Sequence, residues 1–326
     1  MVCLGEALVD LVCERPVAGL GAAPSFVPRL GGSLANIAIA AARFGARVEM
    51  LGGAGDDDWG RWLRDGIEAQ GVDVSRFVLM PGAGTSHAFV AVSADGEPSF
   101  AFYGDVERPA AHAGPDLEPA LAGEPGVLVV GSDTLLGAAE REVTMRAVEM
   151  ARDGGWHVLC DPNLRPNRWP SRQAMLDTIR TLVAGASVVK CNAHEARELT
   201  GEGDVEVAGR GLLALGPEAA VITRGGRGAL AVSAGGVEAV SSRDAAVVDA
   251  TGAGDSVAGV VAAGLAAGAE PSALTRVIEV AMETAAGVVQ VWGATEGLPT
   301  PADARQRLTA ATHPTHPQNA DELTGL

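Results

Sequence analysis

The chain has 326 residues, of which 47% are hydrophobic and only 4% aromatic, and its formal net charge is −17. This length and hydrophobic content are enough for a large core built mainly from aliphatic side chains. The strong negative charge argues against nucleic acid and anionic membrane surfaces as partners, because both would repel the protein.

Lysine and cysteine usage narrows the class of protein further. Lys190 is the only lysine, so a phosphate site that depends on lysine is not expected. The four cysteines form no Cys-x-x-Cys pair, which is typical of reduced, buried thiols. The N-terminus lacks the basic region of a signal peptide, and no apolar run reaches the roughly 20 residues of a membrane helix. We therefore expect a cytoplasmic protein.

The first predicted elements are two extended stretches, Leu8–Val12 and Phe26–Leu30, followed by a helix over Ser33–Phe44. Ser33 is a good N-cap residue, and the apolar residues after it recur at the spacing of one helix face. Gly31-Gly32 precede the helix directly. Because they have no side chains, a ligand has access to the helix N-terminus.

A hairpin is predicted within residues 86–104, where Ala88–Ser93 and Pro98–Tyr103 flank Asp95-Gly96. Together with residues 6–30, this segment predicts a small sheet outside the main one. Such a sheet is suited to act as a lid, because exclusion of water favours group transfer. An ordinary edge hairpin explains the same pattern equally well.

Along the rest of the chain, apolar strand-like runs alternate with helical patterns, which predicts an α/β fold with a parallel sheet covered on both faces. The predicted strands are Arg47–Leu51, Val127–Gly131, His157–Cys160, Ser187–Cys191, Ala219–Thr223 and Gly228–Ser233. The predicted helices are Asp57–Gln70, Ala138–Arg152, Ser171–Val183 and Val205–Leu215. Residues 311–326 contain two His-Pro pairs and little apolar periodicity, and we expect a flexible tail there.

Residues 247–255 are the richest candidate for chemistry. A strand leads into the turn Gly252-Ala253-Gly254, and Asp255 then opens an apolar helix. Backbone N–H groups at such a turn form an anion hole for a transferring phosphoryl group. Asp255 is placed to accept a proton from an attacking hydroxyl. The structural alternative is that Asp255 only caps the helix and the glycines only turn the chain.

Three further segments have both a functional and a structural interpretation. Asn192 and Glu195 have the spacing of a capping box, and their oxygens also suit a metal–phosphate site. Arg165, in a proline-containing turn after a strand, is suited to phosphate or a substrate hydroxyl. The glycine loop 223–228 is either a phosphate cradle or a tight turn. Neither GxxxxGK[ST] nor an early GxGxxG occurs, which argues against a P-loop and a dinucleotide fold.

Asp10 and Asn36 suit a hydroxylated ligand, since a carboxylate can hold two neighbouring sugar hydroxyls and an amide both donates and accepts. Taken together and in order, the motifs resemble the ribokinase-like PfkB family of carbohydrate kinases from about residue 2 to residue 310. The motifs are Gly5-Glu6…Asp10, Gly31-Gly32…Asn36, Gly55-Asp56…Gly60, Asp161-Pro-Asn163, Asn192…Glu195, Thr223-x-Gly225-x-x-Gly228 and Gly252-Ala-Gly-Asp255.

Within the family, three stretches look most like fructokinases. They are Gly31–Asn36, Asp161–Pro166 and Phe100–Tyr103. The resemblance implies a three-layer α/β/α fold over residues 1–310, with the lid segments 6–30 and 86–104 inserted in it. It also implies transfer of a phosphoryl group from ATP to a sugar hydroxyl, with fructose as the leading acceptor. Ribose, 2-keto-3-deoxygluconate, a nucleoside or a non-catalytic role as a sugar sensor are the alternatives.

The resemblance also assigns site residues. The sugar would be bound by Asp10, Gly31, Gly32, Asn36, Arg165 and the base Asp255. The nucleotide would be bound by Asn192, Thr223, Gly225, Gly228, Gly254 and the region of Met282, where a polar adenine contact is often found. Mg²⁺ would be organised through water by Asn192 and Glu195, and K⁺ by backbone oxygens near Asp249, Thr251 and Gly293. Exposed lid edges further predict a homodimer.

Overall fold

The computed structural model describes residues 1–104 and 108–313. The strands are β1 (Val2–Leu4), β2 (Leu8–Val12), β3 (Val27–Gly31), β4 (Glu49–Gly55), β5 (Phe77–Met80), β6 (His87–Val92), β7 (Pro98–Tyr103), β8 (Val127–Gly131), β9 (His157–Asp161), β10 (Val188–Asn192), β11 (Ala219–Thr223), β12 (Ala229–Ser233) and β13 (Gly236–Val240). The helices are α1 (Ser33–Arg43), α2 (Asp58–Ala69), α3 (Arg108–Ala111), α4 (Leu117–Leu121), α5 (Ala138–Asp153), α6 (Arg172–Ala184), α7 (Ala193–Thr200), α8 (Val205–Ala214), α9 (Ala253–Ala266), α10 (Thr275–Val288) and α11 (Pro301–Thr312).

The main sheet has the strand order β13-β12-β11-β10-β9-β8-β1-β4-β5. All pairs from β5 to β11 are parallel, whereas β12 and β13 add an antiparallel edge. Because side chains alternate along a strand, Val127 and Val129 of β8 pack on one face, and Leu128 and Val130 pack on the other. The predicted mostly parallel sheet covered on both faces is confirmed.

Two helical layers cover this sheet. Helices α1, α2, α9, α10 and α11 share one apolar cluster with the first face, and α4 to α8 share the second cluster with the opposite face. Helix α9 is buried almost all round, from Ser256 to Leu265, because it lies against both the sheet and its neighbours α1 and α10. This burial fixes the position of its N-terminus, which is the end that carries Asp255.

A second sheet has the order β3-β2-β6-β7 and contains the two segments predicted to form a lid, so it is called the lid below. Strands β6 and β7 form the predicted hairpin around Gly96, and β2 pairs antiparallel with β3 and parallel with β6. The prediction of a small separate sheet is therefore confirmed, and the ordinary edge hairpin of the main sheet is excluded.

The sequence did not predict β1, β5 and β13, which are short or lie at or near an edge of the main sheet. It also did not predict the short helices α3 and α4 or the helices α10 and α11. Helix α9 begins at Ala253, and the strand predicted to lead into the glycine turn is absent, because residues 241–250 form no strand. The tail was predicted over residues 311–326, but helix α11 extends to Thr312, and residues 314–326 lie outside the described residues. Within the described residues, no helix is both long and apolar enough to cross a membrane.

Candidate active site

A cavity of about 410 Å³ lies between the carboxyl ends of β8 to β11, the N-termini of α1 and α9, and the lid. Polar side chains converge here because the carboxyl ends of parallel strands meet at one edge of the sheet. Leu8, Phe100 and Phe102 contribute the lid's apolar part of the wall. The predicted site residues that line the cavity are Asp10, Gly32, Asn36, Arg165, Asn192, Glu195, Thr223, Thr251, Gly252, Gly254 and Asp255.

Asp255 is the third residue of α9, and its carboxylate is held from α1. Ser33 Oγ donates to Asp255 Oδ1 at 2.7 Å, and Asn36 Nδ2 donates to Asp255 Oδ2 at 2.9 Å. Gly252 occupies the N-cap position of α9, where no side chain caps the helix. The interpretation of Asp255 as a helix cap is therefore wrong. Ser33 is also not an N-cap, because Gly32 holds that position in α1.

The surroundings of Asp255 raise its pKa above the ordinary value. Burial of the carboxyl group is the largest cause, and the nearby charge of Asp161 acts in the same direction. The hydrogen bonds from Asn36 and Ser33 and the charge of Lys190 oppose this rise. A carboxylate whose pKa is raised toward neutral is better suited to take up a proton during catalysis.

The turn before α9 requires glycine at position 252. Gly252 has φ 76°, and a Cβ atom there would come within 2.5 Å of the Cα atom of Ala294. The N–H of Ala253 donates to the carbonyl of Ala250 at 3.3 Å, and Ala253 is not part of the cavity wall. Of the three residues of the predicted anion hole, Gly252 and Gly254 line the cavity, and their binding of a phosphoryl group stays a prediction.

On the lid side, Asp10 and Arg165 both line the cavity, and their contacts with a sugar stay predictions. The guanidinium of Arg165 lies 5.8 Å from the ring centre of Phe100. Arg165 Nε and Asn36 Oδ1 are buried without a hydrogen-bond partner, so each is available to a hydroxylated ligand. Burial raises the pKa of Asp10 well above its usual range, and the charge of Asp255 adds to this. Gly31 lies outside the wall but leaves room for the Asp10 carboxylate.

Asn192 and Glu195 form the capping box that the sequence predicted. Asn192 Oδ1 accepts from the N–H of Glu195 at 3.0 Å, and Glu195 Oε2 accepts from the N–H of Asn192 at 2.8 Å. Glu195 Oε1 also accepts from the N–H of Leu164 at 2.9 Å, which joins α7 to the turn after β9. Both residues nevertheless line the cavity, so a contribution to Mg²⁺ binding stays a prediction beside the capping role.

The remaining predicted nucleotide residues are dispersed. Thr223 lines the cavity, whereas Gly225 and Gly228 lie in the turn between β11 and β12, outside its wall. Met282 is buried in α10 within the apolar core, also outside the wall. Their contacts with a nucleotide stay predictions.

The three residues of the predicted K⁺ site lie together. The fully buried Asp249 accepts from the N–H of Thr251 at 2.9 Å and from the N–H of Gly293 at 3.0 Å. Its carboxylate thus joins the turn before α9 to the loop after α10. Thr251 Oγ1 is buried without a partner, which leaves an oxygen available for a cation.

Five charged wall residues were not predicted as site residues: Glu6, Glu97, Asp133, Asp161 and Lys190. Burial, together with the charge of Asp133, raises the pKa of Glu6 to about 8. Glu6 follows β1, a three-residue strand that the pattern did not reveal. Glu6 and Asp161 lie at or just past the carboxyl end of a strand, which is the signal that identifies them.

Comparisons with known proteins agree with this geometry. The pfkB family of carbohydrate kinases matches residues 1–301. Fructokinase-1 of Oryza sativa subsp. japonica is 35% identical over 80% of this chain and 81% of that protein. The fructokinase of Klebsiella pneumoniae is 32% identical over 94% of this chain and 98% of its own length.

Among solved structures, a fructokinase double mutant from Vibrio cholerae O395, bound to fructose, ADP and a potassium ion, is similar with a TM-score of 0.82. It is 28% identical and covers 94% of this chain and 97% of its own. Aminoimidazole riboside kinase from Salmonella enterica is similar with a TM-score of 0.78 at 28% identity, over 94% of this chain and 99% of its own. Fold, site geometry and family match agree: the chain belongs to the pfkB family of carbohydrate kinases.

Proposed function

We propose that this sugar kinase transfers the γ-phosphoryl group of ATP to a hydroxyl group of fructose, with Asp255 as the general base. The observation that carries the proposal is the buried carboxylate of Asp255, which accepts hydrogen bonds from Ser33 and Asn36. This carboxylate lies between the glycine turn of α9 and the polar wall on the lid side of the cavity. Fructokinases at 31–35% identity support fructose as the acceptor.

In this mechanism Asp255 takes the hydroxyl proton while the sugar oxygen attacks phosphorus. Ser33 and Asn36 keep the carboxylate in one orientation, so little reorganisation is needed during the reaction. The N-terminal end of α9, at Gly252 and Gly254, stabilises the negative charge on the transferring group. The lid excludes water, which would otherwise compete with the sugar as acceptor.

Substrate binding follows from the two sides of the cavity. Asp10, Asn36 and Arg165 would bind sugar hydroxyls, supported by Gly31 and Gly32. ATP would approach from the carboxyl ends of β10 and β11, where Asn192 and Thr223 line the wall. Gly225, Gly228 and Met282 are proposed to bind the nucleotide beyond the cavity.

The donor set fits a magnesium ion that is bound together with ATP. Among the described residues, no group of three or more His, Cys, Asp or Glu side chains is suited to hold a metal alone. Mg²⁺ is commonly held by one or two carboxylates, water and substrate phosphates. Glu195 and Asn192 would orient it through water, where it would neutralise phosphate charge. Thr251 and the backbone beside Asp249 and Gly293 would hold K⁺.

The variant Asp255→Asn tests the base directly. We expect a fall in kcat of about 10²–10⁴-fold, the usual effect of losing a general base, while calorimetry shows that fructose still binds. Asp65→Asn, the same substitution at an exposed position, is the matched control and is expected to retain normal turnover. Turnover by Asp255→Asn equal to that of the control would refute the assignment.

ADP release across a panel of acceptors, with Mg²⁺ and K⁺ present, tests the substrate. Fructose is expected to give the highest kcat/KM. A signal only with ribose, 2-keto-3-deoxygluconate or a nucleoside would contradict the fructose proposal, and binding without turnover on every sugar would favour a sensor.

The proposed homodimer through the lid, where Val27 and Tyr103 are exposed, is tested by the mass of the protein in solution.

A further inference from the structure

We propose that the ammonium group of Lys190 is a further catalytic group, which binds the transferring phosphoryl group and stabilises its charge. The inference rests on the proposed phosphoryl transfer and deepens it. The sequence alone gave no reason to expect lysine at a phosphate site, since the chain has only one. The structure places that one lysine in the wall of the cavity, only 4% exposed.

The position of Lys190 on β10 directs its side chain toward α9. The neighbouring residues Val189 and Cys191 pack in the cluster with α5 to α8. Because side chains alternate along a strand, Lys190 faces the opposite layer, which contains α9. Its Nζ atom lies 2.9 Å from the point where a Cβ atom on Gly254 would stand. The ammonium group and the glycine turn of α9 therefore border the same space.

The cavity wall is rich in negative charge, so a phosphate group bound there needs a cation beside it. The wall includes seven carboxylate side chains, from Glu6, Asp10, Glu97, Asp133, Asp161, Glu195 and Asp255. A phosphate that enters such a wall is repelled unless a cation lies beside it. Of the described residues in the wall, Arg165 and Lys190 are the basic ones, and Arg165 lies over Phe100 of the lid. Lys190 is thus the cation on the α9 side.

The hydrogen bonding of Lys190 agrees with this role. Nζ donates to Asp161 Oδ2 at 2.8 Å, which uses one of its three protons. The other protons are available to phosphoryl oxygens, and a compact ammonium is a usual phosphate ligand.

The reaction balances with Lys190 protonated throughout. A bond forms between the sugar oxygen and the γ-phosphorus, and the bond from that phosphorus to the bridging oxygen of the leaving diphosphate breaks. The sugar proton passes to Asp255. Lys190 neither gains nor loses a proton and contributes charge alone, so its effect is greatest where negative charge on the phosphoryl group is greatest.

A purely structural role, pairing with Asp161 to neutralise a buried charge, predicts different results. We therefore propose measuring kcat, and the affinities for a non-hydrolysable ATP analogue and for ADP, in Lys190→Met and Lys190→Arg. Arg172→Met is the matched control, because Arg172 pairs with Glu198 at 2.7 Å on an exposed surface.

We expect Lys190→Met to lower kcat by about 10²–10³-fold, the effect of removing one donor from an oxyanion hole. Its affinity for the ATP analogue should fall more than its affinity for ADP, because ADP lacks the contacted phosphate. Lys190→Arg should restore part of kcat. A folded Lys190→Met variant with the kcat of the control, or with equal losses of ATP-analogue and ADP affinity, would overturn the proposal.

Lys190→Met leaves Asp161 buried and unpaired, which is costly for folding. A measurement on the unmodified protein avoids this difficulty. In protein labelled with [ε-¹³C]lysine, the single lysine gives a single ε signal. We expect the ATP analogue with Mg²⁺ to shift this signal and ADP to shift it much less. Equal shifts would refute the contact. If the unmodified enzyme phosphorylates no sugar, the proposed function fails, while this shift still tests Lys190.

Discussion

The hydrogen bond from Ser33 to Asp255 makes a prediction about pH dependence. In the variant Ser33→Ala, Asp255 loses one of its two side-chain donors and keeps Asn36. A hydrogen bond to a charged group contributes about 1.5–3 kcal/mol. One pKa unit corresponds to about 1.4 kcal/mol, so the pKa of Asp255 should rise by about one to two units. A water molecule that replaces the Ser33 hydroxyl would restore part of the hydrogen bonding, so we expect the smaller rise in the pKa of Asp255.

The sign follows from the role of Asp255 as a base. The base is active when deprotonated, so a higher pKa moves the acidic limb of the kcat/KM profile to higher pH. The profile of Ser33→Ala should therefore fall below that of the parent at low pH and approach it at high pH. The assay is ADP release across pH, at fixed ionic strength and fructose below KM.

The control for this measurement is Ser256→Ala. Ser256 is also buried at the start of α9, but its hydroxyl donates to the carbonyl of Ala253 at 2.8 Å and does not contact Asp255. Its profile should keep the position of the parent's acidic limb. An unmoved limb in Ser33→Ala, or a loss of the same size at every pH, would show that the hydroxyl does not tune the base.

Two further predictions concern stability. Gly252→Ala should lower the free energy of unfolding, measured in urea, by about 1–3 kcal/mol, because alanine is strained at φ 76° and its Cβ atom would clash with Ala294. The control is Gly203→Ala, where a Cβ atom would meet no other atom within 4 Å, and its free energy of unfolding should not fall in this way. Equal stabilities of the two variants would contradict the reasoning. The pKa of Glu6 is raised from 4.5 to about 8, so the folded protein holds the extra proton and its stability falls as pH rises through that window. Glu6→Gln should flatten this fall, and an unchanged slope would argue against the raised pKa.

Local patterns were sufficient for most of the fold. Apolar runs such as Val127–Gly131 are strands because a parallel sheet covered on both faces buries every side chain. The hairpin around Gly96 followed from its turn residues alone. Strand β1 was missed because three residues show no period, and β13 because it is a half-exposed edge. Glu6 was not predicted as a site residue, because it follows the missed strand β1.

The sequence by itself determined the layered α/β fold, the lid, the glycine turn and Asp255 at its end, because each depends on periodicity or on neighbours along the chain. The tertiary structure decided what those residues do. Ser33 is 222 positions from Asp255 along the chain, yet its hydroxyl donates a hydrogen bond to the Asp255 carboxylate. No sequence pattern near either residue indicates this contact. Likewise Lys190 meets Asp161 and Gly254 only because β9, β10 and α9 pack together. Contacts between distant elements depend on packing, which no local pattern contains.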